Sequence, residues 1–234
     1  MRDIEAVFFD AAGTLFEVRG SVGRIYSAIA RQYGAETDPD ALDQAFSVAL
    51  RQKSAHGIAP ADVQDTVAEE KRWWSGIVES VLAGKIPNDE FSRYFDEVFE
   101  FFRSADAWQL YPDTLQCLEQ LHARGYGLGI ISNFDSRLND LLVNLGIGRF
   151  FADVILSWKA GAAKPDPRIF LKATQSMCVP ASKALHVGDS PEEDFEGARR
   201  AGLQAALLDR KDRHNQSTDI LRVRSLSELN RLLD

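Results

Sequence analysis

Apolar residues recur along this chain with two different periods. Between about Ser21 and Phe102 the period is helical. Asp38-Pro39 sets an N-cap before a proline at the first helical position, and Leu42, Phe46, Ala49 and Leu50 then share one face. Trp73, Ile77, Val78, Val81 and Leu82 form a second stripe, and Phe91, Phe95, Val98, Phe99 and Phe102 a third. Elsewhere short apolar runs predict strands at Ala6–Phe9, Leu128–Ser132, Val154–Leu156, Leu185–Val187 and Ala205–Leu208. Amphipathic helices are predicted between them, over about Asp113–Arg124, Ser136–Leu145, Pro167–Ser176, Pro191–Ala201 and Leu226–Leu232.

Alternating strands and helices predict an α/β fold, a doubly wound Rossmann-like parallel sheet covered on both faces. The helical stretch interrupts it after the first strand. The expected layout is an α/β core over residues 1–15 and 106–234, with an all-helical cap domain over 16–105. In such sheets ligands bind beyond the carboxyl ends of the strands.

Composition narrows the partners. The 234 residues carry a net charge of -8, with 45% hydrophobic and 26% charged residues. An acidic chain of ordinary composition argues against nucleic acid or an anionic membrane as partner. No apolar run approaches the roughly 18 residues of a membrane helix, and the start, MRDIEAVFFD, is too acidic for a signal peptide. Cys117 and Cys178 have no metal-type spacing, which points to a reducing cytoplasm. The oligomeric state stays open, since no heptad or unmistakable interface patch shows.

Four strand ends carry chemistry. Asp10 closes VFFD and is followed by AAGTL; Ser132-Asn133 closes GLGIISN; Lys164 lies in GAAKPDPRIF; Asp189 lies in HVGDSPEED, with Asp194 just beyond. Each alone has a plain structural reading as a turn residue, cap or solvated charge. Ser190, Pro191 and Glu193 do form a capping box, which leaves Asp189 and Asp194 without an account. Brought to one crevice, the carboxylates would repel and raise one another's pKa unless a cation joined them. All-oxygen ligands favour a hard ion such as Mg²⁺, and a hydroxyl and an ammonium beside it suit a phosphoryl group.

These four elements, in this order, resemble the haloacid dehalogenase-like hydrolase superfamily over essentially the whole chain. The resemblance implies that Asp10 is a nucleophile forming an aspartyl-phosphate. It implies that Asp10, the backbone carbonyl of Ala12 and Asp189 hold Mg²⁺. Ser132 and Asn133 would bind phosphoryl oxygens, Lys164 would neutralise them and position Asp10, and Asp194 would serve the metal through water or hold Lys164. Gly13 and Thr14 fit the tight turn after the nucleophile. The helical block would be a mobile cap that selects a small phosphorylated substrate.

One departure stands out. Where phosphatases of the family carry a second aspartate, two residues after the nucleophile, this chain has Ala12. A methyl group neither protonates a leaving oxygen nor activates water, a contribution of roughly 10²- to 10⁴-fold. Three readings follow: a phosphatase with weak or unusual activity, phosphonatase- or dehalogenase-type chemistry, or a degenerate module that binds a phospholigand or protein. A phosphonatase would need a cap lysine, and Lys53, Lys71 and Lys85 are the candidates; a dehalogenase would place an aromatic residue at Ala12 and need no metal. Trp73, Trp74, Tyr26, Arg24 and Arg51 are candidates for the cap–core cleft. His186 is expected to be a hydrogen-bonded interior histidine, and Asp209–Thr218 a polar surface loop before a final strand or helix.

Overall fold

The computed structural model describes residues 3–55, 66–214 and 220–233. Strand β1 (Ala6–Phe9) is buried on both faces and runs into the Asp10 loop. A short strand β2 (Phe16–Val18) follows, then the helices α1 (Val22–Ala30), α2 (Pro39–Ala55), α3 (Thr66–Leu82) and α4 (Phe91–Phe101). Strand β3 (Trp108–Leu110) returns antiparallel to β2, so a two-stranded ribbon marks where the chain enters and leaves the helical block. The rest alternates: α5 (Thr114–Ala123), β4 (Gly127–Ser132), α6 (Arg137–Asn144), β5 (Asp153–Leu156), α7 (Ser157–Ala160), α8 (Pro167–Ser176), β6 (Ala184–Gly188), α9 (Gly197–Arg200), β7 (Gln204–Leu208), β8 (Arg222–Val223) and α10 (Leu226–Leu233).

The main sheet has the order β5-β4-β1-β6-β7-β8 and every pair is parallel. Its strands alternate sides. Val7 and Phe9 face a core completed by Leu118 and Leu121 of α5, Leu138 and Leu141 of α6, and the helical block. Ala6 and Phe8 face a second core with Ile169 and Phe170 of α8 and Ala198 of α9. Central β1, flanked by β4 and β6, thereby delivers Asp10 to the middle of the sheet's carboxyl edge.

Three expectations change. Strand β2 lies at the start of the stretch expected to be an all-helical cap and pairs with β3 just beyond that stretch's end; each strand is three residues long, too short for alternation to register. The helix expected over Pro191–Ala201 opens instead as a wide π turn, Pro191–Glu196, because the Asp194 and Phe195 N–H groups both donate to Ser190 O. The polar loop begins with a buried residue: Asp209 accepts from the Arg213 and His214 N–H groups and from Arg222. Residues 215–218 of that loop lie outside the described residues.

Candidate active site

The sheet order puts the ends of β1, β4 and β6 side by side, and their polar residues meet. Lys164, from the loop after β5, donates through Nζ to Asp10 Oδ1 and to Asp194 Oδ1, both at 2.6 Å. All three side chains are buried. Burial works to strip the lysine of its charge, but Asp10 and Asp194 together outweigh it and hold the ammonium above its ordinary pKa. Asp10 is pushed the other way: burial raises its carboxyl pKa more than Lys164 lowers it.

Asp194 is saturated. Besides Lys164 it accepts from the Ser190 N–H at 3.0 Å and pairs with His186 Nε2 at 2.9 Å. Burial alone would raise its carboxyl, but Lys164 and His186 hold it well below the usual range. A carboxylate cannot donate, so Nε2 carries the proton of this hydrogen bond. The imidazole Nδ1 is a buried atom without a partner, and burial lowers the histidine pKa. His186 is thus the interior histidine the sequence suggested, and it braces Asp194.

Two glycines make these approaches possible. Gly188 faces Asp194 so closely that a Cβ there would lie 2.1 Å from the carboxyl carbon. Gly13 has φ +96, and a Cβ would come within 2.7 Å of Asp189 Oδ2. Asp189 opens onto the cavity while enclosed by protein on its other sides. That enclosure, then the charges of Asp10 and Asp194, push its carboxyl up to about 7.

Asp10, Asp189 and Asp194 bring one oxygen each within 4.8 Å of one another. Three carboxylates against one ammonium leave two negative charges uncompensated, and every donor is a hard oxygen. That set fits a divalent cation such as Mg²⁺, with Asp10 and Asp189 as its ligands and Asp194 already committed to Lys164.

Ser132 is buried, and its Oγ accepts from the Phe134 N–H at 3.2 Å. Asn133 lines the cavity, and its side chain has a second task. Its amide accepts from the Lys164 N–H at 2.8 Å and donates to Lys164 O and to Glu193 Oε2. The side chain is occupied in fixing the lysine loop, so the phosphoryl contact expected of it would fall to its backbone.

A cavity of about 420 Å³ opens above these groups, floored by the strand ends and roofed by the helical block. Its upper wall is apolar: Tyr26, Phe46, Trp74, Val78, Phe99 and Trp108 among others. Trp74 and Tyr26 therefore reach the cleft, whereas Arg24 and Arg51 are exposed outside it. Trp73 packs edge-on against Trp158. Among the described residues Lys164 is the one lysine lining the cavity; Lys71 pairs with Asp96, and Lys53 and Lys85 lie elsewhere.

Sequence reasoning missed a network joining the β4 loop to the helical block. Arg137 lines the cavity, pairs with Asp135, donates to Phe99 O and lies 3.8 Å from the Phe99 ring centroid. Asp135 also accepts from Trp74 Nε1 at 2.6 Å, and Glu70 accepts from both the N–H and the hydroxyl of Ser136. The run Phe134-Asp135-Ser136-Arg137 was the available signal, but its partners lie far away in the chain.

Comparison with known proteins agrees with this geometry. A family model described as haloacid dehalogenase-like hydrolase matches residues 4–202. The haloacid dehalogenase-like hydrolase domain-containing protein 3 of Danio rerio is 32% identical, covering 92% of this chain and 88% of its own. Among solved structures, an HAD phosphatase from Thermococcus onnurineus and a 2-haloacid dehalogenase from Pseudomonas syringae match equally well. Each has a TM-score of 0.67 and 26% identity, and each alignment covers 98% of both chains. Similarity of fold therefore does not choose between phosphoryl and carbon–halogen chemistry.

Proposed function

The chain belongs to the haloacid dehalogenase-like hydrolase family, and we propose that it is a Mg²⁺-dependent phosphatase acting through Asp10. The observation that carries this reading is the three-carboxylate cluster against one lysine, whose two uncompensated negative charges a divalent ion would balance, leaving that ion and the ammonium to face a phosphoryl group. Carbon–halogen cleavage by a single carboxylate gives no reason for Asp189. The phosphonatase reading lacks its cap lysine among the residues lining the cavity.

In this reading, Asp10, Asp189 and the carbonyl of Ala12 hold Mg²⁺, which when bound neutralises phosphoryl oxygens. Lys164 adds a fixed positive charge and orients Asp10 for in-line attack, kept in place by Asp194 from one side and Asn133 from the other. Ser132, whose Oγ accepts from the Phe134 N–H, keeps its own hydroxyl proton to donate to a phosphoryl oxygen. The helical block over residues 16–105 closes as a cap and keeps bulk water out. The substrate is a small phosphorylated molecule, and with both cysteines free the setting is a reducing cytoplasm.

The test is hydrolysis of phosphate esters with and without Mg²⁺, in the parent and Asp10→Asn. Metal-dependent phosphate release that vanishes in the variant is expected. Equal turnover by the variant, or halide release from a haloacid without metal, contradicts the reading.

A further inference from the structure

We propose, resting on the phosphatase reading, that the substrate is an aryl phosphate: a phosphate monoester whose leaving group is aromatic and acidic. Two independent features of the same cavity lead there. The first is its wall. Phe46 and Trp74 lie parallel with ring centroids 6.4 Å apart, and Val78, Phe99 and Trp108 continue the surface down towards Ala12. Of the charged side chains in this wall, Arg137 is engaged with Asp135 and Phe99 O, and Glu17 accepts from the Gln109 amide. A sugar would bring several hydroxyls to a surface with few free partners, and each unpaired buried group is costly. An aromatic body instead finds offset and edge-on ring contacts. The volume, about 420 Å³, lies within the roughly 300–1,000 Å³ of small-molecule sites.

The second feature is Ala12, which lines the cavity together with Asp10 and carries no proton donor at the position where the family's phosphatases have an aspartate. An alkoxide leaving without a proton is a very strong base. A phenolate, whose conjugate acid has a pKa near 10, departs unprotonated far more easily. The chemistry then balances without an acid. Asp10 Oδ bonds to phosphorus and the P–O(aryl) bond breaks, the pair leaving on the phenolate. Water then attacks the aspartyl-phosphate, its P–O(Asp10) bond breaks, and dihydrogen phosphate leaves with both of the water's protons.

The test compares naphthyl phosphate, a hexose phosphate and acetyl phosphate with Mg²⁺ present. Naphthyl phosphate is expected to exceed the hexose phosphate by roughly 10²-fold or more in kcat/KM, the scale set by an absent acid. Phe46→Ala is expected to raise KM for the naphthyl ester more than for acetyl phosphate, which has no ring to seat. A hexose phosphate turned over as well as the naphthyl ester overturns the assignment. Mass spectrometry of acid-quenched protein separates the two levels. A phosphorylated Asp10 formed from acetyl phosphate, with no aryl preference, removes the substrate class and leaves the phosphatase reading intact. No phosphorylation from any donor removes the phosphatase reading itself.

Discussion

Strands β6 and β7 are parallel neighbours, and each ends in an aspartate. Asp189 follows β6 and Asp209 follows β7, yet the two carboxylates live differently. Asp209 accepts two backbone N–H groups and an arginine, and these outweigh burial and hold its carboxyl down at about 2. Asp189 has its own backbone N–H, faces two other carboxylates, and is pushed up to about 7. An aspartate at a strand end is therefore not a functional signal by itself. What distinguishes the two is whether the fold has already satisfied the acceptor oxygens or left them facing a cavity.

The largest effect that could break this comparison is on metal binding. Asp189→Asn is expected to weaken Mg²⁺ binding by at least about 100-fold, the upper range even for residues acting on a metal indirectly. Isothermal titration reads this, and Asp209→Asn should bind Mg²⁺ like the parent. Next comes Ala12→Asp, which adds a carboxylate beside Asp10 where the family's phosphatases carry one. It should raise hydrolysis of a hexose phosphate roughly 10²-fold, while the aryl ester, needing no acid, gains less. The smallest effect is on stability. Asp209→Asn should cost roughly 1–3 kcal/mol in denaturant unfolding, since it weakens a buried charge-assisted hydrogen-bond set.

The pH dependence of the metal-free protein should separate the same pair by sign. The folded-state pKa of Asp189 lies above the ordinary aspartate value of about 4, so its contribution is present below about pH 4 and lost as pH rises through about 7. That of Asp209 lies below the ordinary value, so its contribution is present above about pH 4 and lost as pH falls towards 2. Each fall should flatten in the corresponding asparagine variant.

Much of the charged floor was legible because its chemistry restricts residue type. The proposed nucleophile, the second carboxylate proposed for a cation and the lysine have few substitutes as residue types, and the parallel sheet fixes where strand ends go. The strands themselves were legible from short apolar runs, and β1, β4, β5, β6 and β7 lie where those runs predict. The apolar roof was not legible. Phe46, Val78 and Phe99 follow the same helical spacing whether they fill a core or line a cavity, so the pattern predicts helices without saying which face holds a ligand. The part Asn133 plays in holding the Lys164 loop was not legible, because its position beside Ser132 says nothing of the loop that takes its amide. The Glu70–Ser136 and Trp74–Asp135 links join segments over sixty residues apart, and no local pattern records them.

The central claim is that a charged floor built for phosphoryl transfer lacks, at Ala12, the group that serves both its steps. Rapid mixing of the Mg²⁺-loaded protein with excess naphthyl phosphate tests this directly. The account predicts a burst of naphthol close to one equivalent per protein, then a slow steady rate while phosphorylated Asp10 accumulates, because nothing activates water in the second step. Linear release from the first turnover, with no phosphorylated Asp10 trapped, would contradict it.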